Sequence, residues 1–136
     1  MPATTHNRVR ANWMEVESLS DEFARVFYAN LFRLDPSTKP LFKSDIDAQG
    51  QKLFETLRFI IHNLDHAEEL SPAVEALSLR HVSYGVTRAH YTSVLQALIL
   101  SLHHLLGPSF DAEDEAAWRD VYDELTSKMF AVAYPS

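Results

Sequence analysis

Apolar residues in this chain recur at three- and four-residue spacing, the period that lines one face of an α-helix. An opening segment from His6 to Glu17 carries Val9, Trp13 and Val16 in this way. Ser20 has the chemistry of an N-cap, and Asp21 and Glu22 would complement the dipole of the turn after it. That second helix is expected to reach about Leu34, with Phe23, Phe27 and Leu31 on its stripe. Asp35-Pro36 places a cap before a proline at the first helical position, which predicts a short helix stopping near Pro40. Asp45 or Asp47 then opens a longer helix with Leu53, Leu57, Ile60, Ile61 and Leu64 as its buried stripe.

The second half is punctuated in the same way. Ser71-Pro72 reads as another cap-plus-proline start, for a helix that should fail before Gly85. Thr87 caps a long helix through Tyr91, Val94, Leu95, Leu98, Leu102 and Leu105, ended by Gly107-Pro108. Asp111, with Asp114 three residues on, caps a last helix carrying Trp118, Val121, Tyr122, Leu125 and Met129. No stretch alternates with period two, and no internal repeat occurs. The pattern predicts an all-α protein, a single domain over residues 1–136, with six main helices plus one or two short ones.

Unequal helix lengths and a proline-marked short third helix disfavour a symmetric four-helix bundle. Ala24 and Gly50 are small residues inside helices. A helical glycine costs about 1 kcal/mol relative to alanine, so a close crossing of the second and fourth helices is expected to need the space. The alternative is that Gly50 only frays the start of its helix.

Composition narrows the function classes. Of 136 residues, 46% are hydrophobic and 23% charged, as in an ordinary soluble globular protein. Only three glycines occur, too few for the tight turns of an all-β fold. A net charge of −7, with no clustered Lys and Arg, argues against nucleic acid as a partner. With no cysteine there is no disulfide, thiolate nucleophile or sulfur-ligated metal. The start, MPATTHNRVRAN, has no apolar signal core, and no run is long enough to span a bilayer. A cytoplasmic location is expected.

No phosphate-cradling glycine loop, GxSxG elbow, HExxH or calcium loop is present. The chemistry-bearing candidates are seven histidines: His6, His62, His66, His81, His90, His103 and His104. A histidine on a helix is usually a surface or satisfied core residue. His81 differs in its setting, at i+4 from Leu77 on a helix that ends in Tyr84-Gly85-Val86. An imidazole pointing off an apolar stripe before a corner can offer a neutral nitrogen to iron if a cavity faces it.

The segment LSLRHVSYGVTRAHYTSVLQALI, Leu77 to Ile99, resembles the proximal half of the bacterial single-domain haemoglobins and the globin domain of flavohaemoglobins. FYANLFRLDPSTKPLF, Phe27 to Phe42, resembles their B and C helices and the corner that follows. With Trp13 and AAWRDVYDEL the likeness covers nearly the whole chain. It implies a globin fold enclosing haem b (iron protoporphyrin IX), with His81 as proximal iron ligand. Tyr28, Gln49 and Leu53 would face the bound gas. Phe42 would wedge against the haem face. Lys52 and Arg80 would reach propionates, or be solvated surface charges. Leu57, Leu77, Val86, Tyr91, Leu95 and Tyr122 complete the implied cofactor contacts.

These residue types suit gas binding. Bound O₂ gains negative character and wants a donor; a phenol O–H supplies one and a carboxamide N–H₂ another. Hydrogen bonds to charged acceptors contribute about 1.5–3 kcal/mol each, enough to slow release by about one to two orders of magnitude. The other possibility is that Tyr28 is only a packed aromatic beside Phe27 and Phe32. Tyr91 lies ten residues after His81, as in flavohaemoglobins, where a glutamate completes the proximal network. Here the matching position is Ala133, so no carboxylate is expected to make the imidazole more anionic.

The resemblance implies reversible binding of O₂, and of NO and CO, for storage or transport, by a monomer or weak dimer. The alternative is nitric oxide dioxygenation, which needs a separate reductase because the chain ends at Ser136. A gas sensor would need an output domain, and a haem-free interaction module would not need His81. His62, thirteen residues past Gln49, is too far along its helix to be the sixth ligand.

Overall fold

A computed structural model describes residues 3–42, 46–83 and 85–133. Six α-helices run in chain order: α1 Ala3–Glu17, α2 Ser20–Leu34, α3 Ile46–His62, α4 Ala67–Ser83, α5 Arg88–Leu106 and α6 Ala112–Ala133. Two 3₁₀ turns, Pro36–Leu41 and Gly107–Ser109, lie between them. No strand occurs among the described residues, so the all-α expectation holds. Asp45, one of the two expected starts of α3, and Tyr84 fall outside the described residues; Asp47 lies in the first turn of α3.

Most boundaries follow from the expected side chains. Asp35 accepts the Ser37 N–H at 3.1 Å and opens the first 3₁₀ turn with Pro36 behind it. Thr87 is extended, its N–H donating to Nδ1 of His90 at 3.0 Å. Gly107, at φ 61°, closes α5. Asp111 and Asp114 cap α6 reciprocally: each carboxylate accepts the other's backbone N–H, at 2.8 and 3.2 Å.

Two expected starts are displaced. Ser20 is not an N-cap but the first helical residue of α2, because the Phe23 N–H bonds to the Leu19 carbonyl at 2.8 Å and the helix has already begun there. Ser71-Pro72 likewise lies inside α4. The Leu70 N–H reaches the His66 carbonyl at 3.0 Å, and Leu70 is buried in the core. Burial of Leu70 holds a turn ahead of the proline, whose ring sits exposed near the helix start, where only one intrahelical bond is lost.

Two apolar cores result. The larger joins Val9, Trp13, Val16, Phe23, Phe27, Leu31, Leu102 and Trp118 from α1, α2, α5 and α6. The smaller joins Ile60, Leu70, Val74, Tyr91 and Met129. Within it the Ser78 hydroxyl, fully buried, donates to the Met129 carbonyl at 2.6 Å and ties α4 to α6. α3 packs on α2 and α1 and α4 packs on α6, while α3 and α4 barely touch among the described residues.

The small residues do what their positions suggested. A Cβ on Gly50 would lie 2.7 Å from Cβ of Ala24 and 3.4 Å from Cε2 of Tyr28. Backbone contact at the crossing of α2 and α3 therefore requires glycine there, and Gly50 is buried rather than frayed.

Candidate functional site

α4 ends where His81 needs a corner. The Val86 N–H donates to the His81 carbonyl and the Gly85 N–H to the Val82 carbonyl, both at 3.1 Å, with Gly85 at φ 83°. This paired closure is the Schellman pattern, and it needs a left-handed residue that glycine supplies without strain. His81 thus stands on the last turn of α4, half-buried.

Nδ1 of His81 donates to the Leu77 carbonyl at 2.9 Å, one turn back. That bond fixes the tautomer, leaving Nε2 as the nitrogen with the in-plane lone pair. Burial lowers the pKa of His81, Arg80 lowers it further, and the bond to Leu77 opposes both. The imidazole is therefore neutral near pH 7, with Nε2 able to offer a lone pair. Its ring stacks on Tyr91 with centroids 5.9 Å apart and planes at 26°. Tyr91 is buried, and its carbonyl accepts the Tyr122 hydroxyl at 2.5 Å. Burial, with Tyr91 and Asp123 nearby, raises the pKa of Tyr122, so it remains a proton donor. Leu77 and Val86, both half-buried, pack on the smaller core beside Tyr91.

Tyr28 stands in the other core. It is 6% exposed, and burial pushes its phenol up to about 12. Among the described residues its hydroxyl makes no hydrogen bond, although Phe27, Phe32 and Phe42 ring it at centroid distances of 5.5, 5.7 and 5.1 Å. A protonated phenol on a buried ring, without a partner among the described residues, can donate to an acceptor brought to it. Gln49 and Leu53, one turn apart on α3, are both half-buried. Leu53, Leu57, Phe42 and Leu95 pack against the larger core.

The sequence-expected residues thus fall into two groups. His81, Tyr91 and Tyr122 are linked by direct contact, with Leu77 and Val86 packed beside them. Tyr28 and Phe42 touch directly, and Leu53, Leu57 and Leu95 share their core. The first group comes from α4, α5 and α6 and packs on the smaller core, the second from α2, α3 and α5 and packs on the larger. Between them α3 and α4 barely touch among the described residues. Lys52 and Arg80 are exposed, and His62 is exposed with Nε2 2.9 Å from Glu17. Phe32 was not singled out beforehand; its place at i+4 from Tyr28 on α2 is the signal that could have found it.

The globin family profile matches residues 25–129. The chain belongs to the globin family, a class of helical proteins that carry haem and bind gas ligands. It is similar to the flavohaemoprotein of Deinococcus radiodurans, 28% identical over 127 residues, covering 91% of this chain and 32% of that protein. It is 26% identical to the flavohaemoprotein of Vibrio cholerae over 119 residues, 85% of this chain and 30% of that one. The chain therefore spans about a third of these relatives' length. An uncharacterized globin-like protein of Aquifex aeolicus is 29% identical over 111 residues, 82% of this chain and 78% of its own. Among solved structures, an engineered carbene transferase derived from a candidate nitric oxide dioxygenase of Rhodothermus marinus superposes with a TM-score of 0.87. It is 26% identical, over 98% of this chain and 93% of its own.

Proposed function

We propose that this chain binds O₂ reversibly, and NO and CO as well, at a haem b held by His81 between α3 and α4. A single imidazole suits an iron whose equatorial positions are filled by a macrocycle. Haem supplies an open coordination position that takes a diatomic gas. The chain's own residues do the rest. His81 ligates through Nε2, oriented by the Leu77 carbonyl and by the face of Tyr91. Phe42, Leu53 and Leu57 exclude water from the gas side. Tyr28 and Gln49 donate hydrogen bonds to the gas.

The observation that carries this reading is the Tyr28 hydroxyl: it stands on a buried ring, is kept protonated, and makes no hydrogen bond among the described residues. The test is O₂ release from the haem-loaded protein and from Tyr28→Phe. Loss of a donor to a charged acceptor is expected to speed release at least about tenfold; an unchanged rate would remove Tyr28 from the role. A sample with no haem absorption band would overturn the proposal altogether.

The flavohaemoproteins and the nitric oxide dioxygenase scaffold among the similar proteins favour a second reading, oxidation of NO by O₂ to nitrate. The balance NO + O₂ + e⁻ → NO₃⁻ takes one electron per turnover, so it needs a reductase as partner. Sustained nitrate formation by the oxygenated protein with a generic reductase would place the enzyme role first. A single stoichiometric burst would leave binding as the function. We read the chain as cytoplasmic and as a monomer or weak dimer; no helix among the described residues is long and apolar enough to cross a membrane.

A further inference from the structure

Tyr28 is one corner of a closed triangle of rings. Phe32 stacks on it with centroids 5.7 Å apart and planes at 22°, and Phe42 meets it edge-on at 5.1 Å and 73°. Phe32 and Phe42 close the third side at 5.6 Å and 64°. Phe27 adds another edge contact, at 5.5 Å and 69°. The backbone of α3 covers a further flank, since a Cβ at Gly50 would stand 3.4 Å from Cε2 of Tyr28.

The first side-chain torsion places a tyrosine oxygen; the second, with its broad minimum, leaves that oxygen on the rotation axis and turns the ring plane, in which the conjugated O–H prefers to lie. The edge contacts of Phe27 and Phe42 limit where the Tyr28 ring can slide. Rotation about its Cβ–Cγ bond is limited by a flat surface laid along its face, and Phe32 supplies that surface. Phe32 is one turn further along α2, so helix geometry itself holds the two rings in register. Phe42, which touches both rings, braces Phe32 edge-on.

We propose that Phe32 is the positioning residue of the gas-binding site: its ring, stacked on Tyr28 and braced by Phe42, fixes the direction in which the phenol donates. Phe32 acts through Tyr28 and does not itself touch the gas. The inference deepens the reading of Tyr28 as the gas donor and rests on it.

The test is a double-mutant cycle in the haem-loaded protein. Phe32→Leu keeps an apolar side chain but removes the stacked face, and Phe32→Tyr keeps the face; Phe32→Met replaces Phe32→Leu should the latter not fold. Phe32→Leu is expected to quicken O₂ release about three- to tenfold, as a misaimed hydrogen bond loses part of its strength. Phe32→Tyr should stay within about twofold, and Phe32→Leu should add nothing once Tyr28 is already Phe. The C–O stretching band of the CO complex should broaden or split in Phe32→Leu alone. In the haem-free chain labelled at tyrosine Cζ, the Tyr28 resonance should shift and broaden in Phe32→Leu.

An effect of Phe32→Leu that persists in the Tyr28→Phe background would overturn the proposal, and so would an unmoved Tyr28 resonance. If Tyr28→Phe alone leaves release unchanged while the resonance still moves, the donor reading fails and the ring-positioning contact stands.

Discussion

The Tyr122 hydroxyl donates to the main-chain carbonyl of Tyr91 at 2.5 Å, and Tyr91 lies flat against the imidazole of His81. α6 therefore reaches His81 through one phenol and one ring, and neither of these two contacts involves a carboxylate. The polar partner of the His81 Nδ1–H is a neutral backbone carbonyl. A neutral partner leaves the imidazole a weaker electron donor than a carboxylate would.

Tyr122→Phe should test the relay. It removes one hydrogen bond and is expected to lower stability by about 1 kcal/mol, read as a shift of the urea midpoint at constant slope. Tyr91 should then hold His81 less firmly, so haem should transfer faster to an acceptor globin. An unchanged transfer rate would confine Tyr122 to folding.

Gly50→Ala sets two effects against each other. Alanine gains about 1 kcal/mol of helix propensity, but its Cβ would stand 2.7 Å from Cβ of Ala24, on a helix that cannot yield without moving. Overpacking of this kind costs about 1–3 kcal/mol. Net destabilisation is expected in urea melts, with recovery when Ala24→Gly is added. A stabilised Gly50→Ala would show that the crossing is loose.

The two tryptophans should respond differently to removal of the indole N–H. Nε1 of Trp118 donates to Asn12 Oδ1 at 3.0 Å, whereas Nε1 of Trp13 is buried without a partner among the described residues. Trp118→Phe leaves the buried Asn12 carbonyl unsatisfied, a cost of about 1–3 kcal/mol. Trp13→Phe relieves an unsatisfied donor and loses only packing. Thermal melts should rank Trp118→Phe below Trp13→Phe; the reverse order would contradict the hydrogen-bond assignment.

Acid should loosen the ties of the α3–α4 corner to α1. The hydrogen bond from His6, then that from Arg10, holds the Asp65 carboxyl below its usual range. A depressed folded pKa contributes stability above the unfolded value, about 4, and that stability is lost as pH falls through the folded value. Asp65→Asn should therefore narrow the gap between urea midpoints at pH 6 and pH 3. A variant as acid-sensitive as the parent would discount the corner.

How much of this could be read beforehand depended on the range of the interaction. Asp111 with Asp114, Thr87, Gly85 and Gly107 act within a few residues, and the helix ends they mark lie where side-chain chemistry put them. Ser20 and Ser71 look the same in sequence but were overridden, one by a tight turn out of α1, the other by burial of Leu70 ahead of the proline. Gly50 was legible as a need for space, and Ala24 as its partner. The pairing of Trp118 with Asn12 was not legible, because no local spacing links side chains 106 positions apart. His81, Tyr28 and Phe42 were expected at one site by resemblance alone, and their separation into two groups emerges only when α3 and α4 are placed.

That separation also orders how the molecule opens. α4 rests on α6 through Leu70, Val74 and the Ser78–Met129 bond, a small area beside the core that α1, α2, α5 and α6 share. Local openings follow the least buried attachment, so the haem-free chain should expose the amides of α4 to deuterium before those of α2 or α5. With His81 on α4 as the proposed ligand, loading of the cofactor would be the closing step of folding rather than an event after it, and holding the prosthetic group and holding α4 would be one free-energy term.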